Sequence, residues 1–163
     1  MAAVTDTAPR SAAWELVISR AFDAPRSLVF DAWTDPARLA RWFGPRGFKI
    51  PSCKMEAREG GAFRICMRSP EGTDHWVRGV FREVVNPERL AFTWAWEDED
   101  GKPKHETVVQ VDFTEQAGKT RLRMQQGIFE SADSRDRHES GWSGALDNLE
   151  DYLRAIADDG RPA

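Results

Sequence analysis

The chain has 163 residues, 40% of them hydrophobic, and carries a formal net charge of −4. This length fits one domain of about 100–150 residues, large enough to bury a core without disulfides or metal. Because charges of both signs are mixed along the chain and acidic residues are in excess, the composition argues against a nucleic-acid partner, which usually requires a basic face.

The N-terminal residues 1–12 contain no apolar signal-peptide core and are predicted to be a disordered lead. No apolar stretch approaches the roughly 20 residues that a membrane helix requires, so no membrane span is expected. Two cysteines in a chain without an export signal indicate reduced thiols and a cytoplasmic location. We expect one domain over residues 13–157, followed by a tail over residues 158–163.

The domain is predicted to begin with a strand and a short helix. Alternating residues predict the strand from about Ala13 to Phe22. The period then changes, and Asp23 and Pro25 mark a helix start, because proline suits the first helical turn. The predicted apolar face of this helix consists of Leu28, Val29, Ala32 and Trp33.

A second short helix is predicted directly after the first. Asp35 is its expected N-cap and Pro36 its first residue, and Gly44 with Pro45 ends it. Its apolar face consists of Leu39, Trp42 and Phe43. The order is therefore one strand followed by two short helices.

Six further strands are predicted, joined by short connections. Short connections favour hairpins, so the sheet should be antiparallel. The predicted strands run over about Phe48–Ala57, Ala62–Arg68, His75–Val85, Arg89–Trp96, Lys104–Thr114 and Lys119–Gly127.

The last predicted element is a helix from about Asp133 to Ala157. Residues that repeat at three and four positions give it an apolar stripe that should face the sheet: His138, Trp142, Ala145, Leu146, Leu149, Leu153 and Ile156. Gly141 and Gly144 lie inside this helix, where each costs roughly 1 kcal/mol relative to Ala. They either permit close approach to the sheet or let the helix bend beside a cavity.

This order is that of an α+β helix-grip fold, in which a curved antiparallel sheet of about seven strands holds a long C-terminal helix. The stretch from Arg20 to Phe43 reads R-x-F-D-A-P-x-x-x-V-F-D-A-W-T-D-P-x-x-L-x-x-W-F. It resembles the homologues of the activator of the heat-shock protein 90 ATPase, a family in the START-like (SRPBCC, Bet v-like) superfamily. The resemblance continues through residues 58–64, 79–81 and 90–94 and ends on Gly141-Trp142 and the apolar positions that follow.

No constellation for catalysis or metal binding is readable in the chain. None of the three histidines has a zinc-site spacing, and neither cysteine lies near one. Phosphate-binding glycine loops and a nucleophile elbow are absent. Cys66 alternates with Arg64 and Arg68 on a strand face expected to look at solvent, and we interpret it as an unreactive thiol. No catalytic residue, metal or cofactor is therefore predicted.

The two cysteines could pair only in one of two hairpin registers. A two-residue Glu59-Gly60 turn would place Cys53 opposite Cys66, whereas a loop one residue longer aligns Cys53 and Met55 with Phe63, Ile65 and Met67. Register follows the hydrophobic pattern, since a slip of one residue turns every side chain over. We therefore prefer the longer loop and predict no disulfide.

Two titratable residues have alternative roles. His138 precedes Trp142 by one helical turn, so its imidazole either faces the space between helix and sheet, where it binds a ligand or moves a proton, or is partly exposed beside Glu139. Glu56 either points inward or pairs with a nearby arginine, and an ion pair is favoured because buried charges need partners.

Aromatic residues are the best indication of a binding site, since the chain has seven Trp and nine Phe against one Tyr. Such residues either fill the core completely or leave an apolar cavity beside the N-terminal half of the long helix, and the resemblance implies a cavity. The predicted ligand-binding residues are Trp42, Phe43, Phe63, Ile65, Phe92, Trp94, Met124, His138 and Trp142.

Three functions remain open at this point. The first is binding of an apolar or amphipathic small molecule between the sheet and the helix. The second is a contact with a chaperone, which the family name implies, with the acidic turn from Glu97 to Asp100 as a possible contact surface. The third is a cyclase- or hydrolase-like activity, which the superfamily implies, with His138 as the acid–base residue and Glu56 as its partner.

Overall fold

The structure is a computed structural model of the chain and describes residues 14–159. The predicted disordered lead over residues 1–12 lies outside the described residues, as does the end of the predicted tail, residues 160–163. The elements occur in the predicted order, with these bounds: β1 Leu16–Phe22, α1 Arg26–Thr34, α2 Pro36–Leu39, β2 Lys49–Met55, β3 Ala62–Arg68, β4 Asp74–Val85, β5 Arg89–Glu97, β6 Pro103–Gln116, β7 Lys119–Gly127 and α3 Ala132–Asp159.

The seven strands form one antiparallel sheet in the order β1-β7-β6-β5-β4-β3-β2. Consecutive strands from β2 to β7 pair as hairpins, and β1 closes the order by pairing with β7. The register shifts within the β2–β3, β4–β5 and β5–β6 pairings. Such bulges bend a strand and increase its twist, which allows a sheet to curve around a helix. The predicted helix-grip architecture is confirmed.

The two short helices cover one end of the sheet. Pro25 is the N-cap of α1 rather than its first helical residue. The predicted apolar face packs on the core, with Leu28 partly buried, and Phe30 is buried in addition. Asp35 caps α2 as predicted, because its carboxylate accepts a hydrogen bond from the Ala37 N–H at 3.0 Å. Pro36 then occupies the first turn of α2, where the missing N–H has no cost.

The long helix α3 packs its predicted apolar stripe on the sheet. Trp142, Ala145, Leu146, Leu149 and Leu153 are buried, while the side chains at the alternate face are exposed or half-buried. The helix begins at Ala132, and the Ser131 hydroxyl accepts a hydrogen bond from the Ser134 N–H at 3.0 Å. Because α3 continues to Asp159, residues 158 and 159 are helical and do not belong to a tail.

The two glycines of α3 face the loop after α2 and not the sheet. A Cβ on Gly144 would lie 3.0 Å from the Arg46 backbone nitrogen, and one on Gly141 would lie 3.6 Å from Pro45 Cγ. The same loop is held by Asn148, whose amide donates to the carbonyls of Trp42 and Gly44 at 3.2 Å each. The close approach predicted from these glycines therefore exists, but its partner is a loop.

The β2–β3 hairpin has the longer loop that the hydrophobic pattern predicted. Cys53 pairs with Ile65 and Met55 with Phe63, and both cysteines are free thiols. The expectation that Cys66 lies on a solvent-facing surface was wrong, because this residue is buried. Trp76 lies opposite Cys66 on β4, and the arginines beside it cover the same face. Burial raises the pKa of the Cys66 thiol, which keeps the sulfur protonated.

Candidate functional site

A cavity of about 320 Å³ lies between the N-terminal half of α3 and the sheet. It is bordered by the loop after α2, the loop after β7, and the neighbouring ends of β5 and β6. We call it the main cavity. Its wall is apolar and largely aromatic: Phe43, Pro45, Met67, Trp94, Trp96, Phe129, Trp142 and Ala145. Polar side chains also line it: Lys104, His105, Thr107, Glu130, Ser134, Arg137 and His138.

Three separate elements bring the aromatic wall together. Phe43 follows α2, Trp94 lies on the central strand β5, and Trp142 lies on α3. The ring centroids of Trp94 and Trp142 are 5.1 Å apart, and those of Phe43 and Trp142 are 5.5 Å apart. These distances fall within the range at which aromatic pairs attract beyond simple burial. The wall is therefore a contact cluster and not a chance set of exposed rings.

A buried chain of hydrogen bonds holds Trp142 in place. Its indole N–H donates to the Gln126 side-chain oxygen at 2.7 Å, and the Gln126 amide donates to the Thr107 hydroxyl at 2.9 Å. Gln126 is fully buried on β7. Because an indole N–H can only donate, the glutamine oxygen fixes the orientation of the ring at the cavity wall. Trp94 differs, since its buried indole N–H has no acceptor among residues 14–159.

His138 joins α3 to β5 at the side of the cavity. The Trp96 indole N–H donates to His138 Nε2 at 2.9 Å, and His138 Nδ1 lies 2.7 Å from the Ser134 carbonyl oxygen. Trp can only donate and a carbonyl can only accept, so Nε2 is unprotonated and Nδ1 carries the hydrogen. Burial lowers the pKa of His138, and the nearby Arg137 lowers it further. The structure thus holds a neutral imidazole with both nitrogens engaged.

A smaller inner cavity of about 20 Å³ lies deeper in the core. Phe43 and Trp94 line both cavities and so stand between them. A space of this size holds roughly one water molecule. The inner cavity is lined by Trp33, Leu39, Phe43, Met55, Phe63, Ile65, Phe81, Phe92 and Trp94.

The structure divides the predicted binding residues into three groups. Phe43, Trp94, His138 and Trp142 line the main cavity. Phe63, Ile65 and Phe92 line only the inner cavity. Trp42 and Met124 are buried in the core and line neither of these two cavities, and the Trp42 indole donates to the Ala32 carbonyl at 3.0 Å.

Most polar residues of the main cavity carried no recognisable signal in the sequence. Lys104, His105 and Thr107 were assigned only to a strand, and Ser134 and Arg137 to the start of a helix, while Glu130 fell between the last strand and that helix. His105 reaches the cavity because its Nε2 donates to the Ile128 carbonyl at 2.7 Å, which ties the start of β6 to the loop after β7. For Trp96, the only sequence signal for a place in the cavity wall was its alternation with Trp94 along the strand.

Glu56 and Glu97, the two acidic residues considered for a function, each form an ion pair with an arginine, and neither lines the main cavity. Glu56 is exposed and lies 3.4 Å from Arg58, which agrees with the favoured interpretation as an ion pair. The prediction that Glu97 belongs to an exposed acidic turn was wrong, because its side chain is only 2% exposed and pairs with Arg64 at 2.8 Å. The hydrogen bond from Arg64 lowers the pKa of the Glu97 carboxyl.

Two general properties bear on the class of site. Among the described helices, none is both long and apolar enough to cross a membrane. Within residues 14–159, no group of three or more His, Cys, Asp and Glu side chains is arranged to hold a metal ion.

Comparison with solved structures shows the same fold in several bacterial proteins. The AHSA1 protein from Silicibacter pomeroyi is 28% identical, with a TM-score of 0.80 over 86% of this chain and 98% of that one. A protein from Arthrobacter aurescens is 26% identical, with a TM-score of 0.80 over 88% and 87% of the two chains. One from Nitrosomonas europaea is 26% identical, with a TM-score of 0.76 over 90% and 98%.

Sequence comparison gives the family. No curated protein matches the chain at a significant level. The profile of the family described as Activator of Hsp90 ATPase homolog 1-like protein matches residues 23–154. This match covers most of the chain, including α1, the sheet from β2 to β7 and nearly all of α3. The chain therefore belongs to the AHSA1 family, the Activator of Hsp90 ATPase homolog 1-like proteins.

Proposed function

We propose that the protein binds an apolar or amphipathic small molecule in the main cavity. The observation that carries this proposal is a cavity of about 320 Å³ whose wall is largely aromatic and whose charged side chains, Lys104, Glu130 and Arg137, are exposed. Small-molecule sites are typically clefts of about 300–1,000 Å³ with this composition. Burial of an apolar ligand there would be favoured by roughly 25 cal/mol for each Å² of apolar surface removed from water.

The ligand would contact Phe43, Trp94, His138 and Trp142 directly. We assign Phe63, Ile65 and Phe92 a role only for a ligand that displaces Phe43 or Trp94 and extends into the inner cavity. Trp42 and Met124 would act through packing, since they lie behind the wall. We also propose a cytoplasmic location, which the two free thiols favour.

The other two functions have less support in the geometry. Both His138 ring nitrogens are engaged and Glu56 is exposed beside Arg58, so the pair expected for acid–base chemistry is not assembled. Glu97 of the acidic turn is used in ion pairs with Arg64 and Arg78, which leaves a smaller surface for a chaperone contact. A protein contact remains the main competing proposal because of the family name.

The first test is native mass spectrometry of the purified protein, with organic extraction of whatever is lost on denaturation. A retained molecule of apolar or amphipathic character would support the proposal. If the protein is empty, a panel of apolar and aromatic compounds is screened for a rise in melting temperature. An empty protein that no compound stabilises would reject the cavity as a binding site and favour the protein contact.

A matched pair of variants then locates the site. Ala145→Leu adds a larger side chain to the cavity wall, whereas Ala155→Leu adds the same atoms at an exposed position of α3 outside the main cavity. We expect at least about tenfold weaker binding for Ala145→Leu, equivalent to about 1.4 kcal/mol, and no change for Ala155→Leu. Equal affinity for both variants would place the ligand elsewhere.

A further inference from the structure

The polar side chains at the opening of the main cavity do not match the charge of the whole protein. The chain carries a net charge of −4. Yet the cavity is lined by two cationic side chains, Lys104 and Arg137, and by one carboxylate, Glu130. All three are exposed, so they lie where the cavity meets solvent. His138 adds no charge there, because its imidazole is neutral.

Lys104 is available to a ligand. Its ammonium forms no ion pair within 4.0 Å with any of residues 14–159, although most arginines of the sheet do form such pairs. Arg137 pairs with Asp133 at 2.7 Å, but both side chains are at least 70% exposed. Exposed pairs of this kind contribute little and are readily exchanged. A guanidinium also has five N–H donors, of which this contact uses one.

Ser134 supplies a third donor from inside the cavity. The residue is 5% exposed and lines the cavity. Its backbone groups are used, since the N–H donates to Ser131 and the carbonyl accepts from His138. Its hydroxyl forms no hydrogen bond with any described residue. Ser134 also lies in the first turn of the 28-residue helix α3, where the helix dipole favours a negative charge.

We propose that this opening recognises an anionic group, so that the ligand is an amphipathic acid. Its carboxylate would accept hydrogen bonds from Lys104, Arg137 and Ser134, while its apolar part lies against Trp94 and Trp142. The inference rests on the proposed function, because it names the class of molecule that the main cavity binds. Glu130 is the one lining group that opposes an anion, and it makes an ammonium ligand the competing outcome.

The test compares three naphthyl compounds that differ only in the polar end: naphthylacetic acid, naphthylethanol and naphthylethylamine. Affinities are measured by titration calorimetry with the full chain near neutral pH, at low and high salt. We expect the acid to bind at least about fivefold more tightly than the alcohol, because charge-assisted hydrogen bonds exceed neutral ones. This advantage should shrink at high salt, since the opening is exposed to solvent.

Variants assign the effect to the opening. Lys104→Gln should lower the affinity for the acid about fivefold and leave the alcohol unchanged, whereas Lys102→Gln, at an exposed lysine that does not line the cavity, should change neither. Glu130→Gln should strengthen binding of the acid. Thermal unfolding of each variant confirms that it is folded.

The outcomes separate this inference from the function on which it rests. Binding of the alcohol or the amine as tight as that of the acid overturns the anionic preference and leaves the cavity function standing. An unchanged acid affinity in Lys104→Gln likewise overturns it. If none of the three compounds binds and none raises the melting temperature, both the inference and the proposed function are rejected.

Discussion

Three tryptophan indoles in this protein donate to different kinds of acceptor, whereas the buried indoles of Trp33 and Trp94 have no acceptor among residues 14–159. Trp42 uses a backbone carbonyl, Trp142 uses the Gln126 amide and Trp96 uses a histidine ring. A buried donor without a partner costs about 1–3 kcal/mol, so each of these three acceptors stabilises the ring that donates to it. Gln126 and His138 therefore have a structural role, since each accepts a hydrogen bond from a tryptophan that lines the cavity.

The burial of His138 beside Trp96 makes stability depend on pH. Burial lowers the pKa of His138 below its usual value of 6.5, so the folded protein binds fewer protons than the unfolded chain just below that pH. The free energy of unfolding therefore falls as the pH drops through this range. Protonation of His138 Nε2 would also break the hydrogen bond with Trp96, because Nε2–H and the indole N–H are both donors. We expect wild type to lose stability between about pH 7.5 and 5.5, and His138→Gln to lose less.

Urea denaturation at both pH values measures this difference. The carboxylates of Asp74 and Glu97 do not change protonation in this pH range, because paired arginines lower both pKa values. Ala155→Leu, at an exposed position of α3, removes no titratable group, so it serves as a control and should follow wild type. Equal losses in wild type and His138→Gln would show that His138 does not carry the dependence.

At the scale of elements, the loop after α2 is clamped to α3 beside the main cavity. Asn148 holds two carbonyls of this segment, and Arg46 pairs with Asp151 at 2.9 Å. Gly44 and Pro45 from the same loop line the cavity. The position of the cavity wall therefore depends on how closely the loop approaches α3, which the helix glycines decide.

The two glycines should respond differently to alanine. In a helix interior, Gly→Ala usually gains about 0.5–1 kcal/mol. A Cβ at Gly141 would meet Pro45 at 3.6 Å, an ordinary contact, so we expect Gly141→Ala to stabilise the protein. At Gly144 the Cβ would lie 3.0 Å from the Arg46 nitrogen, in a loop that is already held, so Gly144→Ala should be less stable than wild type. Chemical denaturation compares the two, and a gain in Gly144→Ala would mean that the loop yields.

At the scale of the whole molecule, apolar packing rather than charge holds α3 on the sheet. Leu149 is fully buried within the core. Asp147, two residues earlier, joins α3 to Arg20 of β1 at 2.8 Å, but its side chain is 47% exposed. Within one turn, α3 is therefore attached strongly through the buried Leu149 and weakly through the exposed ion pair of Asp147.

Removing each attachment tests this ranking. Leu149→Ala should lower the free energy of unfolding by about 2–5 kcal/mol, because it deletes buried methyl groups and leaves a cavity. Asp147→Ala should cost less than about 1 kcal/mol, as is usual for a solvent-exposed ion pair. Equilibrium unfolding in urea gives both values. A larger cost for Asp147→Ala would show that the ion pair, and not the core, fixes the helix.

The sequence by itself determined the elements and their order. Period-two and period-three-to-four patterns predicted the bounds of β3 and β7 without error and those of most other elements to within about three residues. The exception is α2, which ends at Leu39, so that Trp42 and Phe43 follow the helix and do not belong to its apolar face. The apolar pattern also determined the β2–β3 register, because a slip of one residue would have exposed Phe63 and Ile65. These properties depend on neighbours along the chain or across one hairpin, which a sequence displays.

Only the tertiary structure decided which aromatic residues surround empty space and which fill the core. Trp42 and Trp142 have similar positions in their local patterns, yet one is packed behind the wall and the other lines it. The polar lining from Lys104, Ser134 and Arg137 joins segments about 30 residues apart, which no local period records. A cavity is the volume that packing leaves unfilled, so it is a property of all the surrounding elements together and not of any single segment.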